Sequence, residues 1–70
     1  MYNLLISKYG MTPTQAISVV GIAGFETGGT YNPNIGTTYK GLLQWDKSRF
    51  PGSNYYRQID YIINSSKNKS

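Results

Sequence analysis

The chain has no cysteine and no histidine. Without cysteine there is neither a disulfide framework nor a thiolate metal site, and nothing points to an oxidising compartment. Without histidine, a His-dependent catalytic triad and a histidine-ligated zinc site are excluded too, which removes most hydrolase mechanisms. No metal and no cofactor is implied. Acid is scarce: Asp and Glu together number 3, and Glu26 is the only glutamate. Long apolar runs are also missing. The longest, Ala16 to Phe25, is broken by Ser and Gly and falls well short of the roughly 20 residues of a membrane span. The start, Met1-Tyr2-Asn3, lacks the positive n-region of a signal peptide.

What remains is small, basic and rich in tyrosine. A chain of 70 residues makes one domain at most, and domains of this size bury only roughly 60% of their unfolded surface. The net charge of +4 favours a polyanionic partner. The seven Lys and Arg are scattered, however, and two lie in the 65–70 tail, so most read as solvated surface. They form no stripe interleaved with aromatics, which argues against nucleic acid. Tyrosine, at 7 residues, supplies flat apolar faces with a polar rim, suited to core edges and to sugar binding alike.

Local signals predict three helices. Tyr2 to Tyr9 forms a short one, with Leu4, Leu5 and Ile6 on its apolar side and Gly10 placed to end it. Thr12-Pro13-Thr14-Gln15 starts the second: Thr12 caps, Pro13 fits the first helical position, and Gln15 completes a capping box. Ala16, Val19, Val20 and Ala23 then follow the i, i+3, i+4, i+7 spacing of a core-facing stripe. Gly21 and Gly24 each cost this helix about 1 kcal/mol relative to Ala, so close approach by another helix or a ligand is expected beside them. Gly28-Gly29 stops it. Residues 30–40 read as loop with a short hairpin, Thr37-Thr38-Tyr39 being a strand candidate, and Gly41-Leu42-Leu43-Gln44-Trp45 is a compact apolar cluster. Ser53 is placed to cap a third helix ending near Asn64, with Tyr55, Ile59 and Ile62 on one face and Tyr56 and Ile63 beside it. The polar tail 65–70 is expected to be disordered. The fold class is therefore mainly α, a single domain over 1–64, with a loop or short β-hairpin between the second and last helices.

Glu26 is the residue on which chemistry is expected to rest. It comes three residues after Ala23 and seven after Val19, at the edge of the buried stripe, in the last turn of the helix. Partial burial and the negative end of the helix dipole both disfavour an ionised carboxylate there, the condition a general acid needs. The competing reading is a surface residue at a helix end.

The order of motifs carries a resemblance. Gly21-Ile22-Ala23-Gly24, an apolar residue, Glu26, a small residue and Gly28 precede Asn32-Pro33, then Gly41-Leu42-Leu43-Gln44-Trp45, then Arg49. Tyr9-Gly10-Met11-Thr12 and Gln58-Ile59-Asp60-Tyr61-Ile62 extend the match, which covers residues 4–64. Together they resemble the phage tail lysozyme-like family of peptidoglycan-degrading domains, within the lysozyme superfamily. Thr27 stands where that family usually has Ser, and the Asn usual ahead of the Glu is missing. Family domains also continue with further helices that close the far wall of the cleft.

The resemblance implies a small lysozyme-like domain that cleaves peptidoglycan as a muramidase or lytic transglycosylase, an enzyme of the virion or acting at the host cell envelope. Glu26 matches the catalytic acid. Gln44 matches a cleft residue that hydrogen-bonds sugar or positions the backbone, and Trp45, Tyr31 and Thr27 would meet the glycan, Trp45 having core packing as an equal alternative. Lys40 and Arg49 would meet carboxylates of the substrate or simply face solvent. Asp46 is the better placed of the two aspartates for a second carboxylate; a route using Glu26 alone is the simpler fit. Peptidoglycan is the implied partner, with other virion proteins or another chain completing the cleft. The alternative from a different class is a non-catalytic virion structural or cell-wall-binding protein that keeps a truncated form of the fold.

Overall fold

The structure, a computed structural model, describes residues 1–67. The elements are three helices, α1 (Tyr2–Ser7), α2 (Pro13–Glu26) and α3 (Tyr55–Lys67), with a two-stranded hairpin of β1 (Tyr39–Lys40) and β2 (Trp45–Asp46) between α2 and α3 in the chain. The expected mainly α architecture is present. No described helix is long and apolar enough to cross a membrane.

Helix α1 ends because Gly10 takes the left-handed conformation, φ +66°. That turn lets the N–H groups of Gly10 and Met11 donate back to the carbonyls of Ile6 and Leu5, satisfying the open end of the helix. Two residues later the capping box forms as its residue types require. The Gln15 N–H donates to Thr12 Oγ1 at 3.2 Å, and the Thr12 N–H donates to Gln15 Oε1 at 3.1 Å. The predicted stripe of α2 faces inward: Ala16 and Ala23 are fully buried, and Val19 and Val20 pack partly buried against the core.

The core joins this stripe to Leu5 of α1, to Leu42, and to Ile59, Ile62 and Ile63 of α3. Leu42 comes from the turn of the hairpin, not from a regular element. Fully burying a side chain of this size stabilises the fold by about 1.5–3 kcal/mol, so the hairpin is anchored by its tip.

Four local expectations are corrected. The hairpin lies over Tyr39–Asp46, starting only at the end of the 30–40 segment and running past it, and pairs Tyr39 with Asp46 and Lys40 with Trp45 in antiparallel register. Its connection is Gly41 to Gln44, where Gly41 at φ +89° and Gln44 at φ +50° allow the chain to reverse while Leu42 points into the core. Helix α3 is capped by Asn54, not Ser53: Asn54 Oδ1 accepts from the Arg57 N–H at 3.1 Å. The same helix runs to Lys67, three residues past its expected end, and Tyr56 points outward at 61% exposure. Of the expected disordered tail, residues 68–70 lie outside the described part.

Candidate functional site

Glu26 is the last residue of α2. Its side chain is exposed and makes no hydrogen bond or ion pair among the described residues. The partial burial expected from its place beside the stripe is not found, because the chain turns away at Thr27 and nothing is laid over that flank. Position at the C-terminal end of the helix is the part of the expectation that holds.

Thr27, expected to meet substrate, is instead a buried strut, only 2% exposed. Its hydroxyl donates to the Ala23 carbonyl at 2.7 Å and accepts from the Tyr31 N–H at 3.0 Å. Both capacities are used inside the protein, so the side chain fixes the exit from α2. Gly28 and Gly29, at φ +62° and +84°, make that exit possible, and the Gly29 N–H donates to the Gly24 carbonyl at 2.8 Å.

The returning chain brings Tyr31 back along α2. The Tyr31 hydroxyl donates to the Val20 carbonyl at 3.0 Å. The end of its ring lies so close to Gly24 that a Cβ there would collide with the hydroxyl. This accounts for the helical glycine at 24. It also commits one edge of Tyr31, whose other side borders a groove of about 410 Å³ shared with Met1, Tyr2, Val20 and Tyr55. Glu26 is not among the residues that line it.

Gln44 serves the backbone. Its Nε2 donates to the carbonyls of Gly41 at 2.9 Å and Ile35 at 3.2 Å, bracing the left-handed turn in which it sits. Trp45 is half-buried against the core and meets Tyr61 edge-to-face, ring centroids 5.7 Å apart. Asp46 caps its own turn, accepting from the Ser48 hydroxyl at 2.5 Å and from the N–H groups of Ser48 and Arg49. The Ser48 hydroxyl foremost, with these backbone donors and the Arg49 charge, holds the Asp46 carboxyl below its ordinary range. Lys40 extends over the Phe50 ring, 5.4 Å from its centroid, and Arg49 is exposed.

The candidate residues thus fall into two groups, Glu26, Thr27 and Tyr31 on the exit from α2, and Gln44, Trp45 and Asp46 on the hairpin. No Cα of α2 comes within 8 Å of a Cα of either strand. What ties the groups together is Gln58 of α3, fully buried. Its Oε1 accepts from the Leu42 N–H at 2.8 Å, and its Nε2 donates to the carbonyls of Pro33 at 2.6 Å and Gly52 at 2.7 Å. One amide therefore pins the loop leaving α2, the tip of the hairpin and the approach to α3. The sequence did hold a signal for it: Gln58 occupies the inward row of α3, four residues before Ile62, where a polar residue needs internal partners.

Among the described residues no three metal-ligating side chains come together. No family model, curated protein or solved structure matches the chain.

Proposed function

We propose that this protein cleaves the glycan strand of peptidoglycan, with Glu26 as the general acid. The observation that carries the reading is Glu26 itself. The only glutamate of the chain stands exposed at the end of α2, bound to no other described side chain, while Thr27 beside it is locked into the fold. A carboxyl so placed is open to a substrate, and the rigid turn behind it holds its backbone still. The order of motifs around it, like that of phage tail lysozyme-like domains, supports the same reading.

A one-carboxylate route suits this arrangement. Glu26 transfers its proton to the glycosidic oxygen as the C–O bond at the anomeric carbon breaks. A water or a hydroxyl of the substrate then attacks that carbon, and the Glu26 carboxylate takes up the proton released. Attack by the substrate's own hydroxyl is the lytic transglycosylase outcome and leaves anhydro ends; attack by water leaves reducing ends. Asp46 fits a second catalytic carboxylate poorly, since its oxygen is engaged by three donors of its own turn.

A second reading, a virion structural or wall-binding protein without catalysis, is favoured by one observation: Glu26 does not line the groove beside Tyr31. Incubating wild type and Glu26→Gln with purified peptidoglycan, followed by mass analysis of the muropeptides, separates the two. Release by wild type alone supports the enzyme, and the ends produced name its type. Equal inactivity of both proteins, with co-sedimentation on the polymer, leaves the binding reading.

A further inference from the structure

Helix α2 is apolar on two sides. Its inward face supplies the core, but Ile17, Ile22 and Phe25 on the outward face are 61%, 56% and 87% exposed. Thr14, Ser18 and Gly21 complete that outward face, all exposed. From Pro13 to Phe25 the helix carries no charge, in a chain whose net charge is +4. Gly21 stands at the middle of this face, and a Cβ there would meet nothing within 4 Å. Unlike Gly24, this helical glycine has no reason inside its own chain.

We infer that the outward face of α2 is a dimerisation surface on which two copies of this chain pair antiparallel, about a two-fold axis at Gly21. The residue spacing is self-complementary. Ile17 and Phe25 are each four positions from Gly21, so the axis sets Ile17 of one copy against Phe25 of the other, twice, as an isologous contact requires. The glycines meet at the crossing, where lack of side chains lets the two backbones approach.

Charge selects the occupant. An anionic membrane or polymer would need Lys or Arg flanking the apolar face; α2 has none, and its one charged residue, Glu26, is negative. Two strongly basic copies, by contrast, meet here on a surface free of like charges. Antiparallel pairing also brings Glu26 of each copy level with the first turn of the other α2, whose dipole end attracts a negative charge. The three exposed side chains leave on the order of 400 Å² of apolar area per copy. With the flanking residues, the pair covers roughly 1,000 Å², near the lower limit of specific interfaces, so the dimer forms reversibly with concentration. This inference does not depend on Glu26 being catalytic.

Sedimentation equilibrium from micromolar to near-millimolar concentration tests it. Wild type shifts from monomer to dimer over that range. Phe25→Lys stays monomeric at concentrations at least about tenfold higher, with an unchanged circular dichroism spectrum, as expected for so exposed a position. Tyr56→Lys, at another exposed aromatic, on α3, dimerises like wild type. The chain has no cysteine of its own, so Gly21→Cys reports the axis directly: a thiol oxidant cross-links it rapidly and leaves Tyr56→Cys largely monomeric. A wild type monomeric throughout, a Phe25→Lys dimer as stable as wild type, or a dimer in which Gly21→Cys fails to cross-link would each overturn the inference.

Discussion

Gln58 and Leu42 lie 16 residues apart in the chain and are joined, fully buried, by a 2.8 Å hydrogen bond from the Leu42 N–H to the Gln58 side-chain carbonyl. Leu42 is the apolar anchor of the hairpin, and Gln58 is the polar partner of the same turn. Removing the amide strands one backbone donor and two backbone acceptors, those of Leu42, Pro33 and Gly52. Each buried unsatisfied group costs about 1–3 kcal/mol. Gln58→Leu therefore loses about 3 kcal/mol or more, a large part of the roughly 4–10 kcal/mol a domain of this length commands. Urea denaturation followed by circular dichroism reads this directly. A loss under about 1 kcal/mol would show that the loops are held elsewhere.

The two glycines of α2 predict opposite signs for one substitution. Gly21→Ala places its methyl in open space and removes the entropic cost of glycine, so the monomer gains about 1 kcal/mol. Gly24→Ala drives the Tyr31 hydroxyl off the Val20 carbonyl and loses about 1 kcal/mol net. In Gly24→Ala/Tyr31→Phe the colliding oxygen is gone, and the double variant is more stable than the sum of the singles. Thermal melts at dilute concentration of wild type, Gly21→Ala, Gly24→Ala, Tyr31→Phe and the double variant check this. Equal effects at positions 21 and 24 would contradict the contact with Tyr31.

Tyr9 ties the end of α1 to α3, its hydroxyl donating to Asp60 Oδ1 at 2.5 Å. Burial, reinforced by the Asp60 carboxylate that accepts the proton, pushes the phenol from 10.0 up to about 12. The folded chain thus holds this proton more tightly than the unfolded one. The stabilisation is complete below pH 10.0 and is lost as pH rises towards about 12. Denaturant midpoints across that window should fall more steeply for wild type than for Tyr9→Phe. Parallel declines would mean that the bond contributes nothing to folding.

How much of this was legible in the sequence depends on how far apart the interacting residues stand. The capping box of Thr12 and Gln15, the stop at Gly10 and the inward stripe of α2 involve residues within one or two helical turns. The hairpin was displaced because its strands are only two residues each, too short for an alternating pattern, and because its turn carries the buried leucine. Ser53 and Asn54 are both capping residues, and only the path of the loop decides between them. At the candidate site, the position of Glu26 at the end of its helix could be read from the glycines that follow, but its exposure could not.

By itself, the sequence determined where α2 begins, which side of it faces inward, and the presence of one glutamate at a glycine-terminated helix end. Steric and capping preferences among near neighbours settle these before any tertiary contact forms. Only the tertiary structure decided that Thr27 is a strut, that Gly24 answers to Tyr31 while Gly21 answers to nothing in its own chain, and that Gln58 binds Pro33 and Leu42, 25 and 16 residues away. A hydrogen-bonding group acquires its role from the partner it meets, and these partners meet only once the core has closed.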